Sequence, residues 1–224
     1  MNAPVQPAPR PPHVPVGASP DGLAMKLRTG TASAHKEAEG AAFVKAIFDA
    51  TVDRGDYVRF LWALKRVYGA LEVGLEANRA DTRLAPLVLS VVYRSEALAK
   101  DLAFYALPEG QPLASTQRYV EQLERISRTA PHRLVAHAYT RYLGDLSGGQ
   151  ALKKCIQRAF KLEGTQGVAF YDFEAIPEMN AFKGQYRMAL DTLPMSPTEQ
   201  QDVVDEAILA FELNGAITRE VAAR

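Results

Sequence analysis

The apolar residues of this chain recur at helical spacing along almost its whole length, and this pattern limits the fold more than any other feature. The clearest stripe begins near Asp56 and comprises Phe60, Leu61, Leu64, Val67, Tyr68, Leu71 and Leu75. No segment alternates apolar and polar residues as a half-buried strand does, and no internal repeat is visible. The pattern therefore predicts an all-α fold.

Capping signals divide this pattern into separate helices. Asp21 is expected to cap a helix that runs to about Glu39 and stops at Gly40. Further helix starts are expected at Ser95, at Ser115, after Pro131, near Glu178 and at the capping box Ser196-Pro197-Thr198-Glu199.

Residues 1–20 differ in composition from the rest of the chain, because they are rich in proline and poor in large apolar side chains. We expect a disordered tail that is dispensable for the fold, followed by one helical domain over residues 21–224. His13 lies in this tail and is expected to be inert.

Charge and cysteine content restrict the possible partners and compartment. The chain carries 26 basic and 26 acidic residues, and this zero net charge argues against nucleic acid as the main partner. Cys155 is the single cysteine, so an internal disulfide is excluded, and no zinc-type cluster is visible. No apolar run reaches membrane-spanning length and no secretion signal is apparent. We expect a cytoplasmic protein with no membrane partner, and a monomer.

An unusual segment, Tyr139–Gln150, places three glycines inside what reads as one long helix. Each glycine in a helix interior costs roughly 1 kcal/mol relative to alanine. Gly144 and Gly148 expose backbone without Cβ atoms, which lets the helix bend and lets a flat ligand or another helix come close. Asp145 puts a carboxylate beside that bare surface. Ligand binding and simple helix packing both explain this segment.

His35 is the histidine with the most suggestive surroundings. Small residues flank it, and Glu39 lies four residues on, within reach of one ring nitrogen in a helix. A lone helical histidine is nevertheless most often a surface residue. His137 lies seven residues before Gly144, roughly 10 Å along the helix axis, so it is poorly placed to coordinate the centre of a ligand on the glycines.

Three cations have the spacing needed to hold ligand carboxylates. Arg28 lies two turns before His35, and Lys183 and Arg187 are four residues apart on a later helix. Taken one at a time, each is an ordinary solvated charge.

Together these segments resemble the heme oxygenase family, over roughly Gly22 to Val221. The Tyr139–Gln150 segment resembles the family's distal-helix signature, and the Thr-Ala-x-x-His-x-x-Ala-Glu pattern that contains His35 is similar to its proximal-helix motif. The segments Lys183-Gly184-Gln185-Tyr186-Arg187 and Phe211-Glu212-Leu213-Asn214 resemble later heme-edge and distal-network segments in the expected order.

The resemblance implies that heme b lies between a proximal and a distal helix. His35 would be the only protein ligand to iron, oriented by Glu39. Gly144 and Gly148 would lie over the porphyrin, and Phe211 would contribute to the heme pocket.

The resemblance also implies roles for the polar residues. Asp145 would hold a water chain that delivers protons, with Tyr139, Arg141 and Asn214 in the same distal network. Arg28, Lys183 and Arg187 would grip the propionates and select the α-meso edge, although Arg28 replaces the expected lysine.

The implied reaction is oxidative cleavage of heme to biliverdin, carbon monoxide and ferrous iron, with O2 as oxidant. The chain has no dinucleotide-binding glycine fingerprint and no Fe–S cysteine set, so electrons must come from a ferredoxin or an NAD(P)H-dependent reductase. Lys153, Lys154 and Arg158 are candidates for its docking patch, or are simply a solvated helix face.

Two other classes remain as alternatives, a heme carrier or sensor and a different enzyme of the wider helical superfold. A heme carrier or sensor on the same fold would bind heme without degrading it, which the retained His35 and Asp145 disfavour. A thiaminase-like hydrolase needs an accessible nucleophilic cysteine, and a diiron oxidase needs Glu-x-x-His pairs, which this sequence lacks.

Overall fold

The computed structural model describes residues 19–223, and every regular element within them is helical. The α-helices are α1 Leu23–Gly30, α2 Ala32–Glu39, α3 Ala42–Phe48, α4 Arg54–Ala77, α5 Ser95–Tyr105, α6 Ala114–Thr129, α7 Leu134–Ala138, α8 Gly144–Phe160, α9 Met179–Asp191 and α10 Pro197–Ala222. Short 3-10 turns cover Ala85–Leu87, Ser90–Val92, Pro131–Arg133 and Ala169–Tyr171. The all-α prediction is confirmed. The predicted tail lies outside the described residues except for Ser19 and Pro20, and so does His13.

Helices α4 and α10 organise the core. The α4 helix packs against α5 and α6, and α10 packs against α1, α2, α3, α6 and α7. The predicted apolar stripe of α4 is buried except for Phe60, which is only partly covered. Asp53 caps this helix, since its side chain accepts hydrogen bonds from the backbone N–H groups of Gly55 and Asp56 at 2.8 and 3.1 Å.

The expected helix over residues 21–39 is in fact two helices, α1 and α2, which meet at Thr31. The buried Thr31 hydroxyl donates to the Leu27 carbonyl at 2.7 Å, where the chain turns from one helix to the next. The prediction that Asp21 caps this segment is wrong. Asp191, at the end of α9, accepts the Ala24 N–H of the first turn of α1 at 2.8 Å.

The same correction applies to Ser95 and Ser115, neither of which caps its helix. The buried Glu72 carboxylate accepts the Ser95 N–H at 3.2 Å. Glu220, on α10, accepts the Ser115 N–H at 2.8 Å. Carboxylates more than twenty residues away along the chain thus satisfy these two helix starts.

Local capping is confirmed at the C-terminal end of the chain. Ser196 and Glu199 form the expected reciprocal capping box at the start of α10, with Pro197 in the first turn. The α9 helix begins at Met179, as expected from the pattern near Glu178.

The glycine-bearing helix is interrupted by a π-helical turn over Tyr139–Leu143, between α7 and α8. The glycines were expected to let the helix bend, and the irregular turn lies in the five residues just before Gly144. Such turns are rare, shift the register of a helix and are frequent at functional sites. Tyr139, Thr140 and Leu143 of this turn line one cleft together with Gly144.

Candidate active site

A cleft of about 610 Å³ separates α2 from the π turn and α8. This volume is within the range of about 300–1,000 Å³ that is usual for small-molecule pockets. Eight of the lining residues were expected from the sequence, namely Arg28, His35, Glu39, Tyr139, Gly144, Gly148, Arg187 and Phe211. The other four, which were not, are Ala24, Thr140, Leu143 and Ser147.

His35 presents an open imidazole on the α2 side of the cleft. Its side chain is 57% exposed, and its Nδ1 lies 3.7 Å from a Glu39 carboxylate oxygen, longer than a hydrogen bond. This leaves Nε2 as the nitrogen available to a ligand. The Phe211 ring packs edge-on against the imidazole with 5.7 Å between centroids.

A metal bound at His35 must bring most of its own ligands. Within residues 19–223 no group of three or more histidine, cysteine or carboxylate side chains is arranged to hold a bare ion. One free imidazole facing a wide cleft suits iron that is already held by a macrocycle. The residues present therefore fit heme.

Gly144 and Gly148 face His35 from the other side of the cleft. A Cβ built on either residue would meet no protein atom within 4 Å, so neither glycine serves helix packing. The packing explanation is therefore wrong for this pair. It applies instead to Gly149, where a Cβ would stand 3.4 Å from the Tyr171 ring. Bare backbone thus faces the cleft where a flat ligand needs it.

Asp145 is set back from the cleft and partly buried. The hydroxyl of Tyr68 donates a hydrogen bond to its carboxylate. Burial raises the pKa of Asp145 to about 6, against the opposing effect of the Arg141 charge. This carboxyl group can therefore exchange a proton near neutral pH.

Arg141 connects Asp145 with Asn214 through Tyr68. The Nε of Arg141 donates to the Tyr68 hydroxyl at 3.1 Å, and Nη1 donates to the Asn214 side-chain oxygen at 2.6 Å. Three of the expected distal residues thus form one cluster around Tyr68. Tyr68 was expected only as part of the apolar stripe of α4, although a buried tyrosine hydroxyl usually needs a partner.

A second buried polar cluster lies behind the π turn. His137 contacts the Tyr119 hydroxyl through Nδ1 at 3.1 Å and a Glu206 oxygen through Nε2 at 3.0 Å. Burial lowers the pKa of His137, so we assign a neutral ring with the proton on Nε2. His137 is fully buried and does not line the cleft, in agreement with the expectation that it is poorly placed to coordinate a ligand on the glycines.

Two guanidinium groups mark one edge of the cleft. Arg28 and Arg187 both line it, whereas Lys183 is half-buried and does not. Burial lowers the pKa of Arg187, and the nearby Arg28 charge lowers it further. Two guanidinium groups that line the same edge of the cleft suit an anionic ligand group.

Tyr139 lies at this edge and not with Asp145. Its hydroxyl pairs with the Thr31 side chain, and burial raises its pKa while Arg187 and Arg28 oppose the shift. Its expected association with the Asp145 cluster is therefore replaced by contact with the guanidinium edge.

The expected docking cations do not behave alike. Lys153 is only 15% exposed and pairs with Asp172. Lys154 and Arg158 are exposed, and Arg158 also donates to the Phe48 carbonyl at 2.8 Å. The patch available to a partner is therefore smaller than the sequence indicated.

A helical fold with one open imidazole facing bare helix backbone across an arginine-edged cleft defines a heme-binding protein of the sandwich type. The chain matches the family model described as heme oxygenase over residues 21–220. It belongs to the heme oxygenase family.

The chain is similar to known heme oxygenases along most of its length. It is 41% identical over 203 residues to the heme oxygenase of Guillardia theta, and the match covers 89% of this chain and 86% of that protein. The structure of heme oxygenase from Leptospira interrogans superposes with a TM-score of 0.86 at 41% identity, covering 89% of this chain and 99% of that one. Heme oxygenase-1 from Synechocystis sp. PCC 6803 in complex with heme gives a TM-score of 0.86 at 38% identity, covering 89% and 91%.

Between residues 19 and 223, no helix is both long and apolar enough to cross a membrane.

Proposed function

We propose that this enzyme of the heme oxygenase family opens heme at the α-meso carbon, with O2 and external electrons, to give biliverdin, carbon monoxide and ferrous iron. The observation that carries this proposal is the bare backbone of Gly144 and Gly148 opposite the His35 imidazole, where a Cβ on either glycine would have no protein atom within 4 Å. Heme, when bound, supplies the iron that activates oxygen.

The binding role falls to three groups of residues. His35 Nε2 would coordinate the iron. Glu39 faces the other ring nitrogen at 3.7 Å, so a small rotamer change would bring its carboxylate within hydrogen-bonding distance and orient the ring. Phe211 supports the imidazole from the side. The two glycines admit the macrocycle close to the distal backbone.

The proton-handling role falls to Asp145. Its carboxylate is behind the cleft wall, so it acts on the reacting oxygen through water and not by direct contact. Tyr68 and Arg141 hold it in place, and its pKa of about 6 permits both proton uptake and release near pH 7.

The α-meso selectivity is assigned to the arginine edge. Arg28 and Arg187 hold the propionates, while Lys183 acts at longer range because it does not line the cleft. Fixing the propionates fixes the rotation of the ring, and thereby the meso carbon that lies below the distal glycines.

The electron donor is a ferredoxin or an NAD(P)H-dependent reductase, which docks at the exposed Lys154 and Arg158 on α8. We place the enzyme in the cytoplasm as a monomer, in keeping with one partly buried free cysteine.

Spectroscopy of the reconstituted protein tests the reaction. Hemin should produce a Soret band, and ascorbate or a ferredoxin system in air should then replace it with a bilin band. A stable Soret band under the same conditions would instead establish the alternative, a heme carrier, which the family assignment does not favour.

Chromatography of the bilin product tests the selectivity. We expect α-biliverdin from the unaltered enzyme and a mixture of isomers from Arg187→Ala, because that substitution removes a propionate contact. Lys183→Ala, on the same helix, is the matched comparison and should change the product less. A predominantly β or δ product from the unaltered enzyme contradicts this seating of the ring.

A further inference from the structure

We propose that Lys153 is a positioning residue of the distal helix, which sets how closely Gly144 and Gly148 approach the ligand. This inference rests on the proposed function, because it assigns a task to the distal helix α8. The observation behind it is the ion pair between Lys153 and Asp172, which joins the back of α8 to the segment 169–173.

Helix geometry puts Lys153 opposite the glycines. Successive residues of an α-helix are separated by about 100°, so Gly144 and Gly148 lie within about 40° of each other. Gly149, Gln150 and Lys153 lie between about 140° and 240° from Gly144 on the same scale. These three residues therefore share the face of α8 that points away from the cleft.

All three back-face residues contact the segment 169–173. Gln150 donates its side-chain N–H to the Tyr171 carbonyl at 2.9 Å. Gly149 lies against the Tyr171 ring. Lys153 pairs with the Asp172 carboxylate. The segment thus forms a buttress along the back of the distal helix.

The buttress is itself held by buried charged groups. Asp101, which is fully buried, accepts the backbone N–H groups of Ala169 and Phe170 at 2.7 and 2.8 Å. Arg94, also buried, donates to the Asp172 carbonyl at 2.5 Å, and its guanidinium lies 3.9 Å from the centre of the Phe173 ring. Residues 169–173 are therefore anchored to α5 and to the segment preceding it, independently of α8.

The ion pair joins two side chains that are poorly solvated. Lys153 is 15% exposed and Asp172 is 17% exposed. The second Asp172 oxygen, Oδ2, is buried and has no hydrogen-bond partner. Without Lys153 the Asp172 carboxylate would lose its cation while remaining largely out of water, and such a change is more disruptive than loss of an exposed pair. The expected response is a shift of α8 relative to the buttress.

A shift of α8 moves the glycine backbone and Asp145 together. Misplacement of a catalytic group by about 1 Å can lower a rate by as much as about 100-fold. Lys153 should consequently affect the chemical step itself, and not only the encounter with an electron donor.

The choice of reductant separates positioning from docking. Ascorbate reduces heme without a protein interface, whereas ferredoxin with its reductase needs one. We expect Lys153→Ala to lower the ascorbate-supported and the ferredoxin-supported rates by a similar factor of about ten, because both depend on the position of α8. Loss of the ferredoxin-supported rate alone would overturn the proposal and return Lys153 to the docking patch.

The matched control is Lys100→Ala. Lys100 forms an exposed ion pair with Glu96 on α5, so the substitution removes the same charge without leaving a poorly solvated carboxylate and without touching α8. Both rates should stay unchanged. A similar fall in Lys100→Ala would attribute the Lys153 result to lost charge and contradict positioning.

Two further variants keep the test decisive if Lys153→Ala folds poorly. Lys153→Arg retains the pair with Asp172 and should recover most of both rates. Asp172→Asn removes the other partner, and the double variant Lys153→Ala/Asp172→Asn should be no slower than Lys153→Ala alone. Additive losses in the double variant would show that the pair is not the acting unit.

A readout without heme separates this proposal from the proposed function. In the apoprotein, Lys153→Ala should increase amide hydrogen exchange along α8 at least several-fold, and Lys100→Ala should not. Unchanged exchange overturns the positioning role even if the enzyme is active. Increased exchange in a protein whose unaltered form makes no biliverdin would sustain the buttress and reject the proposed reaction.

Discussion

The two helices that face each other across the cleft are supported very differently. None of the residues of α2, which carries His35, is buried. A small groove of about 150 Å³, lined by Ala34, Ala38 and residues of α10, even opens behind it. In contrast, α8 has its back face fastened by hydrogen bonds and an ion pair, and Asp145 is held through Tyr68.

This difference separates two tasks. In the proposed reaction α8 would have to place bare backbone and the Asp145 carboxyl accurately before the chemistry begins, and its contacts within the protein set that position. In the proposed reaction the α2 side would contribute a metal–ligand bond through His35, and this bond could itself draw α2 into place. We expect substitutions in α2 to act mainly on ligand binding, and substitutions around α8 to act mainly on turnover.

The largest effect should come from His35→Ala, which removes the proposed iron ligand. Biliverdin formation should fall to background, and hemin should bind weakly without a histidine-ligated spectrum. Added imidazole should restore part of the activity, since the side chain is exposed and the vacated space can admit it.

His132→Ala is the control for this substitution, because His132 pairs with Asp202 outside the cleft. It should keep both the spectrum and the rate. A normal histidine-ligated spectrum in His35→Ala would mean that another histidine holds the iron and that α2 has been misassigned.

Asp145→Ala should lower turnover without changing hemin binding, and this result would sharpen the contrast between α8 and α2. Hemin should still bind through His35 with an unchanged Soret band. Biliverdin formation should fall by roughly 100-fold, in the range usual for loss of a general acid or base. Biliverdin formation at the unaltered rate would transfer the proton-handling role to Arg141 or its neighbours.

Asp145 also makes a prediction about stability and pH. Its pKa rises from an ordinary 3.8 to about 6 on folding, so the folded protein binds more protons than the unfolded chain between these values. The carboxyl therefore favours the folded state most below about pH 4, and this contribution disappears as the pH rises through about 6. The shift corresponds to up to about 3 kcal/mol.

Asp145→Asn removes this titration. The unfolding free energy of the unaltered apoprotein, relative to that of Asp145→Asn, should fall by up to about 3 kcal/mol between pH 4 and pH 7. Urea unfolding at several pH values measures it. A difference that is independent of pH would show that Asp145 has an ordinary pKa in the folded protein.

The parts of this site that could be predicted from sequence are those set by local pattern. The glycine spacing in 144–149, the small residues around His35 and the capping box at Ser196 all act within a few residues of themselves. These features can be recognised from the sequence because each depends on neighbouring residues and needs no distant partner.

The parts that could not be predicted depend on distant partners. Asp191, Glu220 and Glu72 cap helices that lie far from them in the chain, so Asp21, Ser95 and Ser115 were wrongly chosen as local caps. The sequence places Lys153 on the opposite side of α8 from the glycines but does not say that Asp172 lies there. The partner of the Tyr68 hydroxyl could not be predicted either, because Tyr68 lies within an apolar stripe and Asp145, to which it donates, is distant in the chain.

Gly148→Ala should have smaller effects of opposite sign, because the apoprotein should become more stable while hemin binds more weakly. The added methyl meets no protein atom, so the apoprotein should gain about 0.5–1 kcal/mol of stability from improved helix propensity. Hemin affinity should fall by roughly tenfold or more, because the methyl occupies space meant for the ligand.

Gly69→Ala is the matched control for this effect. Gly69 lies within α4, away from the cleft, and its added methyl also meets nothing within 4 Å. It should give the same gain in stability with no change in hemin affinity. Equal hemin affinity in both variants would indicate that the ligand does not lie against the distal glycines.

The smallest effect should come from Asp191→Asn, which tests how the arginine edge of the cleft is tethered. Asp191 accepts the backbone N–H groups of Ser19 and Ala24 and so ties the start of α1 to the end of α9. These two helices carry Arg28 and Arg187, and the Arg28 charge contributes to lowering the pKa of Arg187. The variant should lose about 1 kcal/mol of stability, the usual cost of a helix cap.

Glu220→Gln weakens a similar cap on α6 and should lose a similar amount of stability. Only Asp191→Asn, however, should weaken hemin binding a few-fold and broaden the range of product isomers. Total turnover should remain near normal in both variants, because neither touches the support of α8. If Asp191→Asn lowers turnover as strongly as Asp145→Ala, the two walls are coupled and the division of tasks between them does not hold.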